Sequence, residues 1–355
     1  MYKNVVIIPA LNPSETLSDY VDSLVEGGMN KILIVNDGSN EKCKKTFEQL
    51  QKKEGVFVLT HAKNLGKGRG LKNAFNYVLT HWSDEISGVI TADSDGQHTV
   101  EDVIRVSEAL DKQENPALIL GTRDFNEEIV PFKSRYGNKI TSKVFWLFYG
   151  VKVNDTQTGL RGIPKEYMYE YMDLEGERFE YEMNMLIYGA MHKHQFAQQT
   201  IRTVYFDNNS ETHFRPVADS LKIYKLIFAN FFKYILSSLS SSVIDLLVFY
   251  LITVLMDTVK DSITIVAATV VARVISSMYN FIINRAVVFK SKGNPMKHMI
   301  KYYTLCVVQM LLSAGLVVAV NNLFAGNKTI EKIVVDSILF LISYQVQRIW
   351  VFDER

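Results

Sequence analysis

The residues best able to do chemistry in this chain form one short stretch, Asp93-Ser94-Asp95-Gly96-Gln97-His98, directly after an apolar run at 86–92. Residues two apart on an extended chain share a face, so the carboxylates of Asp93 and Asp95 can point at one cation. Mg²⁺ and Mn²⁺ take oxygen ligands, typically one or two carboxylates completed by substrate phosphates and water. The pattern therefore predicts a metal–diphosphate site, with a solvated loop as the alternative if the two acids are considered alone.

The elements that must position this stretch are short apolar runs separated by segments long enough for helices. The predicted strands are 5–9, 32–36, 56–59, 86–92 and 117–121. Strands alternating with helices predict a Rossmann-like, mostly parallel sheet. In the first intervening segment, Ser14 is the predicted N-cap, apolar residues follow at helical spacing to Val25, and Gly27-Gly28 ends the helix.

Polar and glycine-rich segments follow the predicted strands. They are Pro9-Ala10-Leu11-Asn12, Asn36-Asp37-Gly38-Ser39, Asn64-Leu65-Gly66-Lys67-Gly68-Arg69-Gly70 and the acidic stretch. Each of them alone is compatible with an ordinary turn. Ligands of such sheets bind at the carboxyl ends of the strands, so four segments in succession on one edge predict a binding site.

In this order and spacing the four segments resemble the family 2 glycosyltransferases, in the branch of dolichyl-phosphate mannose synthase and the bacterial polyprenyl-phosphate glycosyltransferases. The resemblance covers roughly residues 1–215 and implies an α/β GT-A fold, a nucleotide-sugar donor and inversion at the anomeric carbon. The chain departs from the family pattern in two places: Asn36 replaces a common acid, and Pro13-Ser14 interrupts the usual Asn-Glu pair. Both departures leave the identity of the base open.

The resemblance implies a role for each of these residues. Asp37 contacts the base or ribose, Asp93 the nucleotide side, and Asp95 with Gln97 the metal, which is Mg²⁺ or Mn²⁺. Lys67 adds positive charge at the diphosphate, although Gly66 to Gly70 is equally compatible with a flexible helix start. The expected donor-binding residues are Pro9, Ala10, Asn12, Asp37, Lys67, Asp93 and Ser94, and the expected metal ligands are Asp93, Asp95 and Gln97.

Segments around three arginines resemble the acceptor side of the same branch. These are Arg123, Arg135 and Arg161. Arginine suits phosphate recognition, so Arg123 and Arg135 are expected to hold an acceptor phosphate and to act in catalysis with Asp95; Arg161 is a weaker candidate because a lone arginine is commonly an ion-pair residue. Glu180 is a further catalytic candidate, either as a base or through a sugar hydroxyl. The alternative places it, with Glu182, on a solvated helix face.

A polar segment at 209–216 precedes the apolar part of the chain. In the family resembled, a loop at this place closes over the donor, and Arg202, His213 and Arg215 are candidates for its phosphate contacts. A plain linker has a similar composition. The lid is our preferred interpretation because arginine and histidine recur in the segment.

From residue 229 the chain is predicted to be an all-α membrane domain, so the expected domains are 1–228 and 229–355. The four expected spans are 231–256, 263–289, 302–324 and 333–352, each near the 20 residues or so that a bilayer requires. An interfacial helix is expected just before them. The lysines of 290–301 predict that this loop, both termini and the catalytic domain are cytoplasmic, in a multi-pass protein of the cell membrane.

The second and fourth segments end alike, in Asn284-Arg285-Ala286-Val287-Val288-Phe289 and Gln347-Arg348-Ile349-Trp350-Val351-Phe352. This suggests a duplicated two-helix unit, and it resembles the GtrA-like four-helix domain associated with lipid-linked sugars. Twelve Lys/Arg and seven Asp/Glu make residues 229–355 basic, whereas the remainder is acidic. Two distant cysteines indicate neither a disulfide framework nor a zinc site, and nothing suggests nucleic acid as a partner.

The sequence thus predicts an inverting, metal-dependent transfer of a hexose from a UDP- or GDP-sugar to a membrane polyprenyl phosphate, undecaprenyl or dolichyl, for cell-envelope glycosylation. The alternatives are another lipid or glycan acceptor, or a glycolipid flippase with a sensing soluble domain. A nucleotidyltransferase is disfavoured because the first strand is not followed by a glycine-rich start. A homo-oligomer is a possibility that the sequence leaves open.

Overall fold

The computed structural model describes residues 2–125, 130, 132–202, 216–255, 262–324 and 326–353. It divides into two compact units, Met1–Ile227 and Phe228–Arg355. The domain boundary predicted at 228/229 lies beside this division.

The first unit is built on one seven-stranded sheet. Its strands are β1 Val5–Ala10, β2 Ile32–Asn36, β3 Val56–Thr60, β4 Gly88–Thr91, β5 Ala117–Arg123, β6 Arg161–Pro164 and β7 Gln195–Ile201. The order is β3-β2-β1-β4-β6-β5-β7. All pairs are parallel except those of β6, which runs antiparallel to both β4 and β5. The sheet is therefore mixed, within an α/β unit. The first five strands form where the apolar runs predict them.

Helices flank the sheet and bury apolar residues against it or against one another. They are α1 Thr16–Glu26, α2 Lys44–Leu50, α3 Lys67–Trp82, α4 Val100–Asp111, α5 Phe132–Tyr149, α6 Lys165–Met172 and α7 Glu180–Met191. The four residues of β1 at 5–8 and the stripe Leu17, Val21 and Leu24 of α1 are fully buried. Strands buried on both faces read as continuous apolar runs, which is why they could be recognised.

The start of α1 differs from the prediction. Its N-cap is Glu15, and no side chain caps the helix there. Ser14 instead bonds through its hydroxyl to Thr16 Oγ1 at 2.6 Å, and its carbonyl accepts from the Leu17 N–H. The N-cap prediction for Ser14 is therefore wrong. The predicted end is confirmed, because Gly27 is the C-cap and Gly28 has a φ of 92°.

The second unit is helical, and the division between the units falls within its first helix. The helices are α8 Pro216–Leu255, α9 Ser262–Ile283, α10 Pro295–Phe324 and α11 Lys328–Val346. Among the described residues, three stretches are long and apolar enough to cross a membrane, namely Leu221–Leu255, Ile265–Val288 and Pro295–Leu323. The expected fourth span corresponds to α11 and is not among them; α11 carries Lys328, Glu331, Lys332 and Asp336.

The predicted interfacial helix and the first predicted span are one continuous helix, α8. Its apolar stretch of 35 residues is roughly 50 Å long at 1.5 Å per residue, longer than the roughly 30 Å of a bilayer core. Near its start, the Tyr149 hydroxyl of α5 donates to the Ile227 carbonyl at 2.9 Å. Helix α8 is therefore held against α5 at Ile227.

The structure agrees with the duplication suggested by the repeated sequence ends. Asn284–Val288 and Gln347–Val351 are both π-helical turns, following α9 and α11. The Asn284 side-chain amide donates to Gln347 Oε1 at 3.0 Å, and both residues are buried. The equivalent positions of the two repeats therefore meet each other directly.

Candidate active site

The loops after β2 and β3 are tied together by Asp37, which is only 4% exposed. Its carboxylate accepts the backbone N–H groups of Leu65 and Gly66, each at 2.8 Å, and contacts His61 Nδ1 at 2.8 Å. A carboxylate with several such donors is strongly fixed. The sequence placed Asp37 at the base or ribose; the structure shows it organising the loop that leads to Lys67, and direct donor contact remains a prediction.

The loop after β1 is joined to the loop after β2 in the same way. The Asn12 N–H donates to Ser39 Oγ at 2.9 Å, and the Asn40 N–H donates to Asn12 Oδ1 at 2.8 Å. Asn12 has a φ of 49°, a conformation that asparagine adopts more readily than most residues. Pro9 and Ala10, also expected at the donor, form the last residues of β1 directly before this loop.

The loops after β3 and β4 meet at an ion pair. Lys67 Nζ donates to Asp93 Oδ1 at 2.6 Å and lies 3.1 Å from Glu182 Oε1. Burial opposes the charge of Lys67, but the charges of Asp93 and Glu182 together raise its pKa. Burial likewise opposes the charge of Asp93, but chiefly Lys67 lowers the pKa of that carboxyl to about 2. Lys67 and Asp93 are therefore both ionised at neutral pH.

The rest of the acidic stretch makes a turn held by its own side chains. Asp95 Oδ1 accepts the Gln97 N–H at 3.0 Å, and the Asp93 N–H donates to His98 Nδ1 at 3.1 Å. Gly96, with a φ of 74°, lets the chain turn between them. The pKa of Asp95 is raised, first by burial and then by the charge of Asp93. A cation held near both acids would relieve that repulsion.

The residues fit a divalent cation that is shared with a ligand. Asp93 and Asp95 offer carboxylate oxygens and Gln97 an amide oxygen, the donor type that Mg²⁺ and Mn²⁺ prefer. Within the described part of the chain, no group of three or more His, Cys, Asp or Glu residues could hold a metal. A metal here would accordingly complete its ligands with phosphate and water, as Mg²⁺ at diphosphate sites commonly does.

Gly159, in the segment before β6, leaves the room that Asp93 occupies. A Cβ added at Gly159 would lie 2.3 Å from Asp93 Oδ2. The backbone cannot easily retreat, because the Gly159 carbonyl accepts from the buried Thr91 hydroxyl at 2.7 Å. This contact between the segments at 88–93 and 155–161 was not foreseen from the sequence; its only signal was the glycine in Thr158-Gly159-Leu160.

Arg123 ends β5 and is held in a fixed orientation. Its Nε and one terminal nitrogen bind the two carboxylate oxygens of the fully buried Asp155 at 2.7 and 3.1 Å. Its guanidinium remains partly exposed, and its charge is among those that lower the pKa of Asp93. Arg135 lies in the first turn of α5 and donates to the Val130 carbonyl at 3.4 Å. The fold thus places Arg123 within electrostatic reach of the acids.

Arg161 is placed differently from the other arginines. It is fully buried as the first residue of β6, the antiparallel strand in the middle of the sheet. Its guanidinium donates to the Thr158 carbonyl at 3.0 Å and to the Glu182 carbonyl at 2.7 Å. This geometry favours a supporting role behind the site, and the predicted contact of Arg161 with an acceptor phosphate is untested.

Glu182, which the sequence considered beside Glu180, is the glutamate that joins the cluster. It is buried and paired with Lys67, whereas Glu180 Oε1 accepts the backbone N–H groups of Glu177 and Arg178 before α7. Spacing on a helix could not distinguish the two, because the start of α7 decides which one faces inward. The proposed catalytic role of Glu180 remains untested.

The remaining candidates are Ser94 of the acidic turn and the residues of the predicted lid. Ser94 follows Asp93 in the acidic turn and is partly exposed. Arg202 follows β7, is exposed, and donates its backbone N–H to Asp102 Oδ2 at 3.1 Å. Arg215 and His213, the other candidates of the predicted lid, lie outside the described residues.

Two family models match the chain. Residues 5–172 match glycosyl transferase family 2, and residues 224–352 match the GtrA/DPMS transmembrane domain. The first match contains the four carboxyl-edge segments described above, and the second contains all four helices of the second unit except the first turns of α8.

Among known proteins, the chain is 29% identical over 231 residues to an uncharacterized protein of Methanocaldococcus jannaschii, covering 64% of this chain and 92% of the relative. It is 26% identical over 221 residues to the UDP-N-acetylglucosamine–dolichyl-phosphate N-acetylglucosaminyltransferase of Methanococcus voltae, covering 56% and 85%. A glucosyl-3-phosphoglycerate synthase from Mycobacterium tuberculosis, solved with Mn²⁺, UDP and phosphoglyceric acid, has a TM-score of 0.48 at 16% identity, covering 64% and 78%.

The family matches agree with the geometry of the carboxyl edge and with the apolar helices of the second unit. The chain is a glycosyltransferase that combines a family 2 glycosyltransferase domain with a GtrA/DPMS transmembrane domain.

Proposed function

We propose that this glycosyltransferase transfers a hexosyl unit from a nucleoside diphosphate sugar to a polyprenyl phosphate, with inversion and with Mg²⁺ or Mn²⁺. The observation that carries the proposal is the cluster of Lys67, Asp93 and Asp95 at the carboxyl edge, in a chain that also has a membrane domain. A metal held by Asp93, Asp95 and Gln97 would neutralise charge that develops on the departing nucleoside diphosphate.

The acceptor chemistry fits the arginines of the site. The second pKa of a phosphate monoester is near 6, so a polyprenyl phosphate is mostly a dianion at neutral pH. Its oxygen attacks the anomeric carbon, the bond from that carbon to the diphosphate breaks, and the nucleoside diphosphate leaves. No base is needed, but two anions must be held close together, and Arg123 and Arg135 supply the positive charge.

The membrane domain supports a lipid acceptor. In the proposed topology the four helices cross the bilayer, and the lysine-rich loop at 290–301 lies on the cytoplasmic side, as does the catalytic unit. In this arrangement the catalytic unit is on the side where nucleotide sugars are made. The Methanococcus voltae relative is named for transfer to dolichyl phosphate, which supports the same acceptor class here.

The test is a transfer assay with the full chain in detergent. Undecaprenyl or dolichyl phosphate and Mn²⁺ are supplied with UDP-N-acetylglucosamine first, because of the named relative, and then with UDP-glucose, UDP-galactose and GDP-mannose. A lipid-linked sugar formed with one donor, abolished by chelator and absent with Asp95→Asn, is the expected result. Transfer only to diacylglycerol or to a glycan would refute the acceptor.

A further inference from the structure

The ammonium of Lys67 lies where two acids of the site converge. It is 2.6 Å from Asp93 Oδ1 and 3.1 Å from Glu182 Oε1. The side chains of Lys67 and Glu182 are only 15% and 11% exposed, so solvent screens these charges poorly. Asp93 is also an expected metal ligand. The same carboxylate therefore faces two competing cations.

The backbone at Lys67 is fixed, so the ammonium can change partners only through rotation of its side chain. Gly66 has a φ of 99°, and a Cβ there would lie 2.3 Å from the Glu177 carbonyl oxygen. A Cβ at Gly68 would lie 2.6 Å from Tyr181 Cβ. The two glycines thus allow the start of α3 to lie close against the first turn of α7 and the segment before it, and this packing fixes the point from which the Lys67 side chain extends.

We infer that Lys67 is a resident counter-ion that competes with the divalent cation for Asp93 and leaves it when a donor diphosphate arrives. The inference rests on the proposed function. In the free protein the ammonium balances Asp93 and Glu182, and a divalent cation placed beside it is repelled. When the donor is bound, its diphosphate oxygens accept hydrogen bonds from the ammonium. The Asp93 carboxylate is then free to bind the metal.

Metal and donor binding are therefore coupled through this one side chain. The metal binds weakly to the free protein and more tightly once nucleotide is present, which delays assembly of the metal site until a donor has arrived. The ion pair with Glu182 gives the ammonium a second partner inside the site, so that it stays near the diphosphate when it leaves Asp93. This assigns to Glu182 a positioning role and no contact with the reacting atoms.

The test measures equilibrium binding without turnover. Free Mn²⁺ is titrated by electron paramagnetic resonance against the full chain in detergent, without nucleotide and then with UDP. Lys67→Met and Lys67→Gln are expected to bind Mn²⁺ about tenfold more tightly than the unaltered protein in the absence of UDP. The same two variants are expected to bind UDP about tenfold more weakly, because the diphosphate loses its cation.

Two matched variants distinguish the loss of the direct contact between Lys67 and Asp93 from a general loss of positive charge in the loop. Lys63→Met removes a lysine from the same loop at an exposed position and is expected to leave both affinities unchanged. Lys67→Arg keeps the charge and is expected not to tighten Mn²⁺ binding. A thermal unfolding curve of each variant shows that it is folded. Two different neutral replacements are made at Lys67 so that the test still stands when one of them does not fold.

Equal or weaker Mn²⁺ binding by both neutral Lys67 variants would overturn the inference, as would equal tightening by Lys63→Met. Failure of the proposed function is a separate result. In that case Mn²⁺ and UDP bind with the expected pattern, but no lipid-linked sugar forms in the transfer assay.

Discussion

A single methyl group placed at Gly159 should displace Asp93 without unfolding the protein. The φ of Gly159 is outside the left-handed region that disfavours alanine, but the added Cβ would lie 2.3 Å from Asp93 Oδ2, whereas Cβ contacts are almost never under 3.0 Å. Because the Thr91 hydroxyl holds the Gly159 carbonyl, the Asp93 carboxylate is the group that yields. It must move by at least about 0.7 Å.

This displacement is expected to cost much more in rate than in stability. Displacements of about 1 Å in an active site can cost on the order of 100-fold, so kcat/KM should fall roughly 10- to 100-fold in Gly159→Ala. The clash falls on the end of a flexible side chain. The free energy of unfolding should therefore change by no more than about 1 kcal/mol. Initial rates of sugar transfer and a thermal unfolding curve of the full chain in detergent measure the two effects.

Gly137→Ala is the matched control, because a Cβ at Gly137 has nothing within 4 Å. Gly137 lies in α5, where alanine is favoured over glycine by up to about 1 kcal/mol, so this variant should keep its activity and lose no stability. An unchanged transfer rate in Gly159→Ala would refute the placement of Asp93 at the reacting groups. A large loss of stability would show instead that Gly159 is needed for folding.

Three further variants test other contacts. Asp37→Ala should lower stability by roughly 2–5 kcal/mol, read as a lower melting temperature, because two backbone N–H groups and His61 lose their acceptor; an unchanged melting temperature would contradict this. Arg123→Lys should lower kcat/KM for the lipid acceptor roughly tenfold, since lysine cannot reproduce the paired contact with Asp155; full activity would contradict it. Burial lowers the pKa of His194 despite the opposing effect of Glu170. Below about pH 6.5 this residue therefore binds more protons in the unfolded protein than in the folded one. Acidification through that pH should therefore lower the melting temperature less in His194→Phe than in the unaltered protein; an identical pH dependence would contradict it.

The sequence predicted the first five strands and the carboxyl edge because buried parallel strands read as apolar runs and their loops as polar, glycine-rich segments. It did not predict β6, although Arg161 and its neighbours form that strand. A four-residue antiparallel strand that contains a glycine and a proline has no periodicity long enough to detect. For this reason the burial of Arg161 could not be anticipated.

The site was predictable to the level of residue types but not of partners. The acidic stretch and Lys67 were recognised separately, yet their ion pair joins positions 26 residues apart and depends on how the loops after β3 and β4 converge. Whether Glu182 or Glu180 lies in the site depends on where α7 begins. Asp155 was identified only from its ion pair with Arg123 in the structure. Long-range pairing of charges is set by topology, which local patterns do not encode.

The measurement that tests the central claim most directly is the identity of both products of one turnover. Full-length protein, a polyprenyl phosphate, Mn²⁺ and the preferred donor are incubated, and the lipid and the released nucleotide are analysed by mass spectrometry and ³¹P NMR. The account predicts a nucleoside diphosphate and a lipid whose single phosphate has become a phosphodiester to the inverted sugar. A nucleoside monophosphate together with a diphosphate-linked lipid would contradict it, because sugar phosphate rather than sugar would then have been transferred.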